Sequence, residues 1–234
     1  MGVGPLNGRI DVLDHGYAEL LDVMADDREP ARAARVSYSD GLQRSFTQDM
    51  TLTRYLLDHG HLSPFEMVEV KFAIKAPIFV ARQLVRHRTA NWNEFSMRYA
   101  EPTRISDGEK ADYYTPAEWR GPTLTNKQGS DALGGDEQPR LMREYEEAMG
   151  VALDVYANLK LYGAANEMAR MVLPVSVYTT WVWKCDLRNV WNLLEQRDHD
   201  GAQWETREYA KAMIELLKIE LPCLMEIWEE RRHA

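Results

Sequence analysis

Hydrophobic and polar residues alternate over residues 68–75, and this pattern predicts a β-strand with one buried face. Val68, Val70, Phe72 and Ile74 are apolar, and three of the four residues that alternate with them are charged. Successive side chains of a strand point to opposite faces, so the apolar set is expected to face the core. A second strand is predicted over residues 175–185, VSVYTTWVWKC, because this segment is rich in β-branched and aromatic residues.

Apolar residues recur every three or four positions in much of the remaining chain, which predicts helices. Thr47 and Gly60 are expected to cap and end one of them, Pro77 to begin another, and Asp186 to lie near the cap of a third. The predicted helices cover residues 31–39, 47–60, 77–88, 139–162, 166–173, 186–197, 202–218 and 222–232. Residues 1 to about 28 fit either a short strand with turns or a helix, and the pattern does not decide between them.

Many helices and few strands predict an α+β fold, with a central β-sheet packed by several helices. At 234 residues, 45% of them hydrophobic, the chain has the size and composition of one soluble globular domain, which we place at residues 1–234. Residues 101–138 contain Pro, Gly, Ser, Asp and Asn at frequent intervals, so we expect a surface excursion there.

The overall charge disfavours a protein that coats nucleic acid. The formal net charge is −9, from 37 acidic and 28 basic residues, and the phosphate backbone would be repelled. Five arginines nevertheless fall within 23 residues: Arg82, Arg86, Arg88, Arg98 and Arg104. A local positive pocket on an acidic surface is therefore predicted, which suits a small phosphorylated ligand.

The two cysteines, Cys185 and Cys223, have neither disulfide-type nor metal-type spacing, which fits a reducing compartment. The amino end has no basic-then-apolar signal, and no run approaches the roughly 18 apolar residues of a membrane span. We therefore expect a cytoplasmic protein without membrane contact. His87 and His199 show no zinc-type spacing with nearby acids, so no metal site is expected.

Residues with fixed hydrogen-bonding geometry are concentrated between positions 86 and 99. These 14 residues include Arg86, His87, Arg88, Asn93, Glu94, Ser96, Arg98 and Tyr99. Arginine makes bidentate contacts with phosphate, asparagine and glutamate can bind the edge of a base, and serine supplies a small hydroxyl donor. The set predicts a site for an anion and a heterocycle, as in a nucleotide.

This stretch resembles the signature of the flavin-dependent thymidylate synthases, R-H-R-x-x-S-x-N-E-x-S-x-R-Y. The one departure is Asn91, which stands where the family usually has Ser. The resemblance extends over most of residues 31–218 and implies a single domain of that family's type. It includes His61 with Ser63 to Glu66, Arg170 with Leu173-Pro174, and Arg188, Asn192 and Arg197 before DHDGAQWE at 198–205.

The resemblance implies binding residues for two ligands. For FAD it implies His61, Ser63, Arg86, His87, Arg88, Glu94, Arg188 and Asn192, together with Asp186, which stands where the family often has Asn. For dUMP it implies Gln83, Arg86, Glu94, Ser96, Arg98, Arg170 and Arg197. Arg197 is the implied catalytic residue, placed near the uracil, where a permanently charged guanidinium favours the ionised N3.

The implied reaction makes dTMP by moving a methylene group from 5,10-methylenetetrahydrofolate to C5 of dUMP. Electrons pass from NADPH through FAD, so the flavin carries the redox chemistry and the protein orients the rings. The family forms its active sites between subunits of a homotetramer. No cysteine nucleophile is required, and neither Cys185 nor Cys223 has the arginine-rich surroundings of an activated thiolate.

Other functions stay open for some of these residues. Arginines together with Trp92, Tyr99 and Tyr113 could instead bind single-stranded nucleic acid by stacking, although no basic stripe accompanies them. Ser96 could be a nucleophile, but no adjacent base is evident, and a ligand hydrogen bond is favoured. Arg170 could equally be a surface ion-pair partner.

Overall fold

The computed structural model describes residues 8–38, 44–100, 111–123 and 129–233. Its strands are β1 (Arg9–Val12), β2 (Gly16–Met24), β3 (Glu69–Pro77), β4 (Asn91–Glu94), β5 (Arg120–Pro122), β6 (Ser130–Ala132) and β7 (Tyr178–Asp186). Its α-helices are α1 (Glu29–Arg35), α2 (Phe46–Asp58), α3 (Ile78–Leu84), α4 (Gln138–Leu161), α5 (Asn166–Ala169), α6 (Leu187–Arg197), α7 (Trp204–Glu220) and α8 (Pro222–His233). Arg104 and the end of the predicted 31–39 helix lie outside the described residues.

Five strands form one antiparallel sheet in the order β1-β2-β3-β7-β4. The alternation predicted for β3 is confirmed, because Val70, Phe72 and Ile74 are almost fully buried. Their face of the sheet continues into β7, where Phe72 is paired with Trp183, and Trp181 is buried as well. These aromatic residues contribute a large part of the apolar area that leaves water on folding.

Residues 9–24 form a β-hairpin, so this part of the segment that the sequence left undecided contains strands rather than a helix. β1 and β2 pair through a turn at residues 13–15, where Leu13 has a φ of 61°. Gly16 lies against α7, and a Cβ at this position would be 1.9 Å from the Tyr209 hydroxyl. That hydroxyl donates a hydrogen bond of 2.7 Å to the Lys75 carbonyl oxygen, so it fixes α7 over the sheet. The glycine is therefore needed for close packing of the helix.

Helix boundaries differ from the predicted ones where local hydrogen bonds were not evident from periodicity. α2 begins after Ser45 rather than Thr47, because Ser45 and Gln48 form a capping box. α3 ends at Leu84, and the bonds from Arg86 N to Gln83 O and from His87 N to Leu84 O are of the tighter i to i+3 type. The helix predicted over residues 77–88 is therefore four residues shorter at its C-terminal end, and Arg86 and Arg88 lie beyond it.

Strand β4 was not predicted, because its four residues, NWNE, are mostly polar. Its pairing with β7 is what defines it, with Asn91 opposite Lys184 and Glu94 opposite Trp181. The strand lies at the edge of the sheet, where polar side chains are common. The segment 86–99, for which the sequence predicts a ligand site, thus begins in a turn, continues as an edge strand and ends in a loop.

The predicted 101–138 excursion contains, in its described part, the short hairpin of β5 and β6. It leads into α4, a 24-residue helix that packs on the segment 166–172 and buries only Met149, Leu153 and Tyr156 among its described side chains. None of the helices in the described ranges is long and apolar enough to cross a membrane.

Replacing Gly16 by alanine is expected to lower the free energy of unfolding by about 2 kcal/mol, because the new Cβ overlaps the Tyr209 hydroxyl. The control is Gly134→Ala, whose Cβ meets nothing within 4 Å and is expected to change stability by less than about 0.5 kcal/mol. Urea denaturation followed by circular dichroism measures both variants. Equal stabilities of the two would contradict the close packing of α7 on the hairpin.

Candidate active site

A cavity of about 260 Å³ lies where the turn after α3 meets α6. Its lining comes from two short segments of the chain: Arg86, His87, Arg88 and Thr89 from the turn, and Asn189, Asn192, Gln196 and Arg197 from α6. Five of these eight residues, Arg86, His87, Arg88, Asn192 and Arg197, are among those predicted from the sequence. The structure therefore brings one part of the predicted site together.

The local backbone explains how these side chains meet. The thiol of Cys185 at the end of β7 donates to the carbonyl oxygen of Thr89 at 3.2 Å, which holds the turn against the start of α6. On α6, Asn189, Asn192 and Gln196 are three and four residues apart and share one face. The turn and this polar face are therefore opposite walls of the cavity.

His87 and Arg197 are in direct contact in this cavity. The Arg197 Nε group donates to His87 Nε2 at 3.1 Å, and its Nη2 group donates to the Gln83 carbonyl oxygen at 3.4 Å. Burial and the positive charge of Arg197 lower the pKa of His87 to about 4, so the imidazole is neutral near pH 7 and can accept this bond. Burial also lowers the pKa of Arg197. The guanidinium is thus oriented and partly removed from water.

The residues that line the cavity carry a net positive charge. Three arginines line it, and no carboxylate is among the lining residues. Within the described ranges, neither Arg86 nor Arg88 has a carboxylate at ion-pairing distance. Unpaired guanidinium groups beside a neutral imidazole form a binding site for an anion such as a phosphate.

The flavin residues predicted from the more N-terminal segment lie beside α6. Ser63 begins a 3₁₀ turn, 63–67, that packs on α6, and Arg188 of that helix forms an ion pair with Glu66 in the turn. His61 is exposed just before the turn, and its backbone N–H is bonded to the Leu56 carbonyl oxygen at 2.8 Å. His61, Ser63 and Arg188 therefore form a second group on the same side of the domain as the helix.

Asp186 has a structural task at the start of α6. Its carboxylate accepts bonds from the Asn189 backbone N–H at 3.0 Å and from the Asn189 side-chain amide at 3.0 and 2.8 Å. The predicted capping role is confirmed, and both carboxylate oxygens are occupied by Asn189. Thr89, Asn189 and Gln196 were not predicted, although their positions beside Arg88 and on the face of Asn192 were visible in the sequence.

The remaining predicted nucleotide residues form a third group at the other end of β4. Glu94 accepts a bond from the Thr179 hydroxyl at 2.8 Å, and the Ser96 hydroxyl accepts a weak one from the Arg98 backbone N–H at 3.4 Å. Arg98 forms a 3.1 Å ion pair with Glu167, which brings this loop beside Arg170. Arg170 itself is exposed.

The residues that line the cavity, which are the first group, and the third group lie at the two ends of β4. They are separated by β4, whose three residue steps alone span roughly 10 Å at about 3.4 Å per residue. Arg86 precedes this strand in the chain and shares the cavity with Arg197, whereas Ser96 and Arg98 follow the other end of the strand. The two sets are therefore presented at different places along the sheet edge.

Comparison with known proteins identifies the group to which this chain is related. The family described as thymidylate synthase complementing protein matches residues 19–223. A flavin-dependent thymidylate synthase from Thermus thermophilus is 45% identical over 228 residues, covering 97% of this chain and 80% of the relative. One from Kosmotoga olearia is 42% identical over 218 residues, covering 93% of this chain and 91% of the relative.

The chain belongs to the flavin-dependent thymidylate synthase family. A solved structure agrees in fold: the UMP/dUMP methylase PolB from Streptomyces cacaoi, crystallised with 5-Br dUMP, has a TM-score of 0.81 and 29% identity, covering 94% of this chain and 97% of that one. The family prediction and the α+β fold are confirmed. So are the prediction of an enzyme of dTMP synthesis and the prediction of FAD as its cofactor.

The cysteines of this flavin-dependent thymidylate synthase family member are unsuited to nucleophilic catalysis. Cys185 is 3% exposed, and burial raises its pKa to about 12, with Asp186 adding to the effect. Burial also raises the pKa of Cys223. A thiol nucleophile needs a lowered pKa, so neither residue can serve as the attacking group of a cysteine-dependent synthase.

The cavity fits part of a flavin dinucleotide. Its arginines match the pyrophosphate charge, and its amides from Asn189, Asn192 and Gln196 match the polar edge of a ring. Its volume, about 260 Å³, is below the roughly 300–1,000 Å³ typical of ligand pockets. Among the described residues, no three His, Cys, Asp or Glu side chains are grouped to hold a metal ion.

A larger cavity of about 470 Å³ lies between the start of α7 and the β5–β6 hairpin. Aromatic residues form much of its wall, and Glu205, Gln203 and Arg120 provide its polar part. The Gln83 amide donates to Gln203, which lines this larger cavity, and the Gln83 carbonyl oxygen accepts from Arg197, which lines the smaller one.

The neutral state of His87 predicts a pH dependence of stability. In the unfolded chain the His87 imidazole becomes protonated below about pH 6.5, whereas in the folded chain it does so only near pH 4. The folded state therefore loses stability as the pH falls between these values. In His87→Gln, which keeps a neutral acceptor for Arg197, we expect the loss between about pH 6.5 and 4.5 to be smaller by about 1 kcal/mol, after allowance for solvent screening. Urea denaturation at both pH values measures it. Identical losses in the two proteins would show that His87 is not held neutral.

Proposed function

We propose that the arginine-lined cavity is one part of a shared active site that binds FAD and dUMP and in which dUMP is methylated at C5 to dTMP. The observation that carries this proposal is the pair formed by neutral His87 and partly buried Arg197, beside two arginines without carboxylate partners in the described chain. This arrangement favours an anionic ligand that carries a ring capable of negative charge.

The flavin contacts are proposed on the two neighbouring groups around α6. Arg86 and Arg88 are suited to the pyrophosphate, because guanidinium groups bind such oxygens in pairs. Asn192 lies on the polar face of α6, with Arg188 one turn before it, so both can reach a ligand lying along this helix. The proposed FAD residues are His61, Ser63, Arg86, His87, Arg88, Glu94, Asp186, Arg188 and Asn192, with Asp186 acting through Asn189.

The nucleotide contacts are proposed on Gln83, Arg86, Glu94, Ser96, Arg98, Arg170 and Arg197. Arg197 is the proposed catalytic residue, because its guanidinium is held by His87 and by the Gln83 carbonyl oxygen with its Nη1 group left for a ligand. A fixed positive charge in a partly buried place stabilises negative charge on a uracil ring more strongly than one in water. Ser96 is proposed as a hydrogen-bond donor to the nucleotide.

The proposed co-substrates are NADPH and 5,10-methylenetetrahydrofolate. FAD, when bound, supplies the redox chemistry that this protein's side chains lack. The side chains bind the phosphates, hold the uracil in a fixed orientation and keep a charge beside it. A cytoplasmic location, an absence of nucleic-acid partners and an absence of membrane contact stay predictions.

A homotetramer with shared active sites is proposed on two grounds. The first is that Arg86 and Arg197 are separated from Ser96, Arg98 and Arg170 along one chain, as described above. The second is an exposed apolar surface on α4 and the segment that follows it, which would be costly in a monomer. Its members are Val151, Val155, Leu161, Tyr162, Met168, Met171 and Val175. Because Arg170 lies within this surface, a second copy that covers it would bring Arg170 to a neighbouring site.

Binding of single-stranded nucleic acid is not favoured by the same residues. Trp92 is stacked on Trp181 with ring centroids 4.4 Å apart, and Tyr113 packs edge-on against Tyr145 at 6.2 Å. Both rings are therefore engaged within the fold rather than presented to bases. Tyr99 alone of the three is largely exposed.

The direct test is to purify the protein and examine its flavin. We expect a yellow protein whose flavin absorbance changes when dUMP is added, and which forms dTMP after anaerobic reduction by NADPH only when methylenetetrahydrofolate is present. A colourless protein that does not bind added FAD would rule out the proposal. Salt-dependent binding of oligonucleotides, unaffected by dUMP, would instead support the nucleic-acid alternative.

Substitution of Arg197 by alanine is expected to leave FAD bound and to weaken dUMP binding by about 100-fold, because a charge-assisted contact to a partly buried ring is lost. His61→Ala is expected to do the opposite and weaken FAD binding first. Flavin content and dUMP titrations measure the two effects separately. The assignment of Arg197 to dUMP would be contradicted if Arg197→Ala lost its flavin and, once FAD had been added back, bound dUMP as tightly as the wild type.

Mixing two inactive variants tests whether the site is shared. Arg86→Ala and Arg170→Ala are each expected to lack activity, and unfolding and refolding them together is expected to restore about a quarter of the wild-type rate if each site takes the two arginines from different subunits. The control is Arg86→Ala refolded with Arg197→Ala, a pair from one cavity, which is expected to restore nothing. Equal recovery in both mixtures would contradict a shared site.

A further inference from the structure

Three side chains form a line of hydrogen bonds that leads away from the proposed nucleotide site. The Gln83 amide nitrogen donates to the Gln203 side-chain oxygen, and the Gln203 amide nitrogen donates to Glu205 Oε2 at 3.0 Å. Gln83 is on α3, whereas Gln203 and Glu205 lie at the start of α7, 120 residues later in the chain. Neither Gln203 nor Glu205 is among the site residues predicted from the sequence.

The carboxylate at the end of the line fixes its direction. An ionised carboxylate only accepts hydrogen bonds, so the Gln203 amide must turn its NH₂ group toward Glu205 and its oxygen toward Gln83. Gln83 in turn must direct its NH₂ group to that oxygen. If Gln203 were flipped, oxygen would face carboxylate and NH₂ would face NH₂, which costs two hydrogen bonds in a partly buried place.

Glu205 is well suited to be the fixed end. It is 3% exposed, and its Oε1 atom accepts from the Tyr114 hydroxyl at 3.1 Å and pairs with Arg120. It also lies in the first turn of α7, where the helix dipole favours negative charge. Burial and the nearby Glu205 both raise the pKa of Tyr114, so its hydroxyl stays a donor. The carboxylate therefore has little freedom to move.

The structure points to Glu205 as a positioning residue for dUMP binding, acting through Gln203 on the orientation of the Gln83 amide. With its NH₂ group directed to Gln203, Gln83 presents its side-chain oxygen as an acceptor for a hydrogen-bond donor of the nucleotide. This inference rests on the proposed function, in which Gln83 contacts dUMP. The backbone of Gln83 is fixed as well, since its carbonyl oxygen accepts from Arg197 at 3.4 Å. One residue thus couples the buried carboxylate to the proposed catalytic guanidinium.

The test is a titration of dUMP against the flavin absorbance of the FAD-loaded enzyme. Gln203→Ala interrupts the line, and Glu205→Gln removes the charge that sets its direction. Each is expected to raise the dUMP dissociation constant about tenfold, the size of one hydrogen bond, with FAD content unchanged. Gln203→Ala keeps the buried Glu205–Arg120 pair, so it decides the question even if Glu205→Gln fails to fold.

A double variant separates action through Gln83 from an independent effect. If Glu205 acts through this amide, Gln83→Ala with Glu205→Gln is expected to bind dUMP no more weakly than Gln83→Ala alone. A further tenfold loss in the double variant would overturn the inference. If Gln83→Ala weakens dUMP binding but Gln203→Ala does not, the line is wrong and the proposed nucleotide contact stands. If Gln83→Ala has no effect, its contact with dUMP is wrong and the inference falls with it.

Tyr114→Phe is the matched control for general loosening around Glu205. It removes a hydrogen bond to the same carboxylate on the side away from Gln203, so it is expected to lower the melting temperature but to change the dUMP dissociation constant by less than about twofold. An equal loss of dUMP affinity in Tyr114→Phe and Glu205→Gln would show a merely structural role for Glu205 and overturn the inference.

Discussion

The pairing of β4 with β7 is the interaction on which the site depends. β4 is four residues long and mostly polar, so it has little to bury, and its place is set by the backbone bonds to β7 and by the stack of Trp92 on Trp181. This pairing fixes the arginine-rich motif along the sheet edge. Arg88 is thereby held beside α6 at one end, and Ser96 with Arg98 beside the 166–172 segment at the other.

The chain has a net charge of −9, yet three arginines line one cavity. Guanidinium groups close together repel one another, and no carboxylate lines this cavity to neutralise them. Arg197 is held by the His87 imidazole and a backbone carbonyl oxygen, so its charge is oriented without being cancelled. The positive charge of Arg197 can therefore interact with an anionic ligand.

The exposed apolar surface and the division of the site have the same explanation in the proposed assembly. α4 buries only one narrow stripe against its own chain, and a second copy would cover the rest. Such an assembly would also bring the nucleotide residues of one chain to the cavity of another. The partly buried line from Glu205 to Gln83 lies within a single chain and would be complete before any subunits meet.

The sequence by itself determined the family, the α+β class and the alternating strand β3, because motif residues and side-chain periodicity are local properties. It also placed most helices within a few residues, with errors at Ser45 and Leu84 where single hydrogen bonds set the ends. Only the tertiary structure decided that NWNE is a strand and that Asn189 lines the cavity. It also decided that Gln203 and Glu205 are linked to Gln83 by hydrogen bonds. These are contacts between segments up to 120 residues apart. No pattern within either segment encodes them, since each depends on how the sheet and α6 and α7 pack in space.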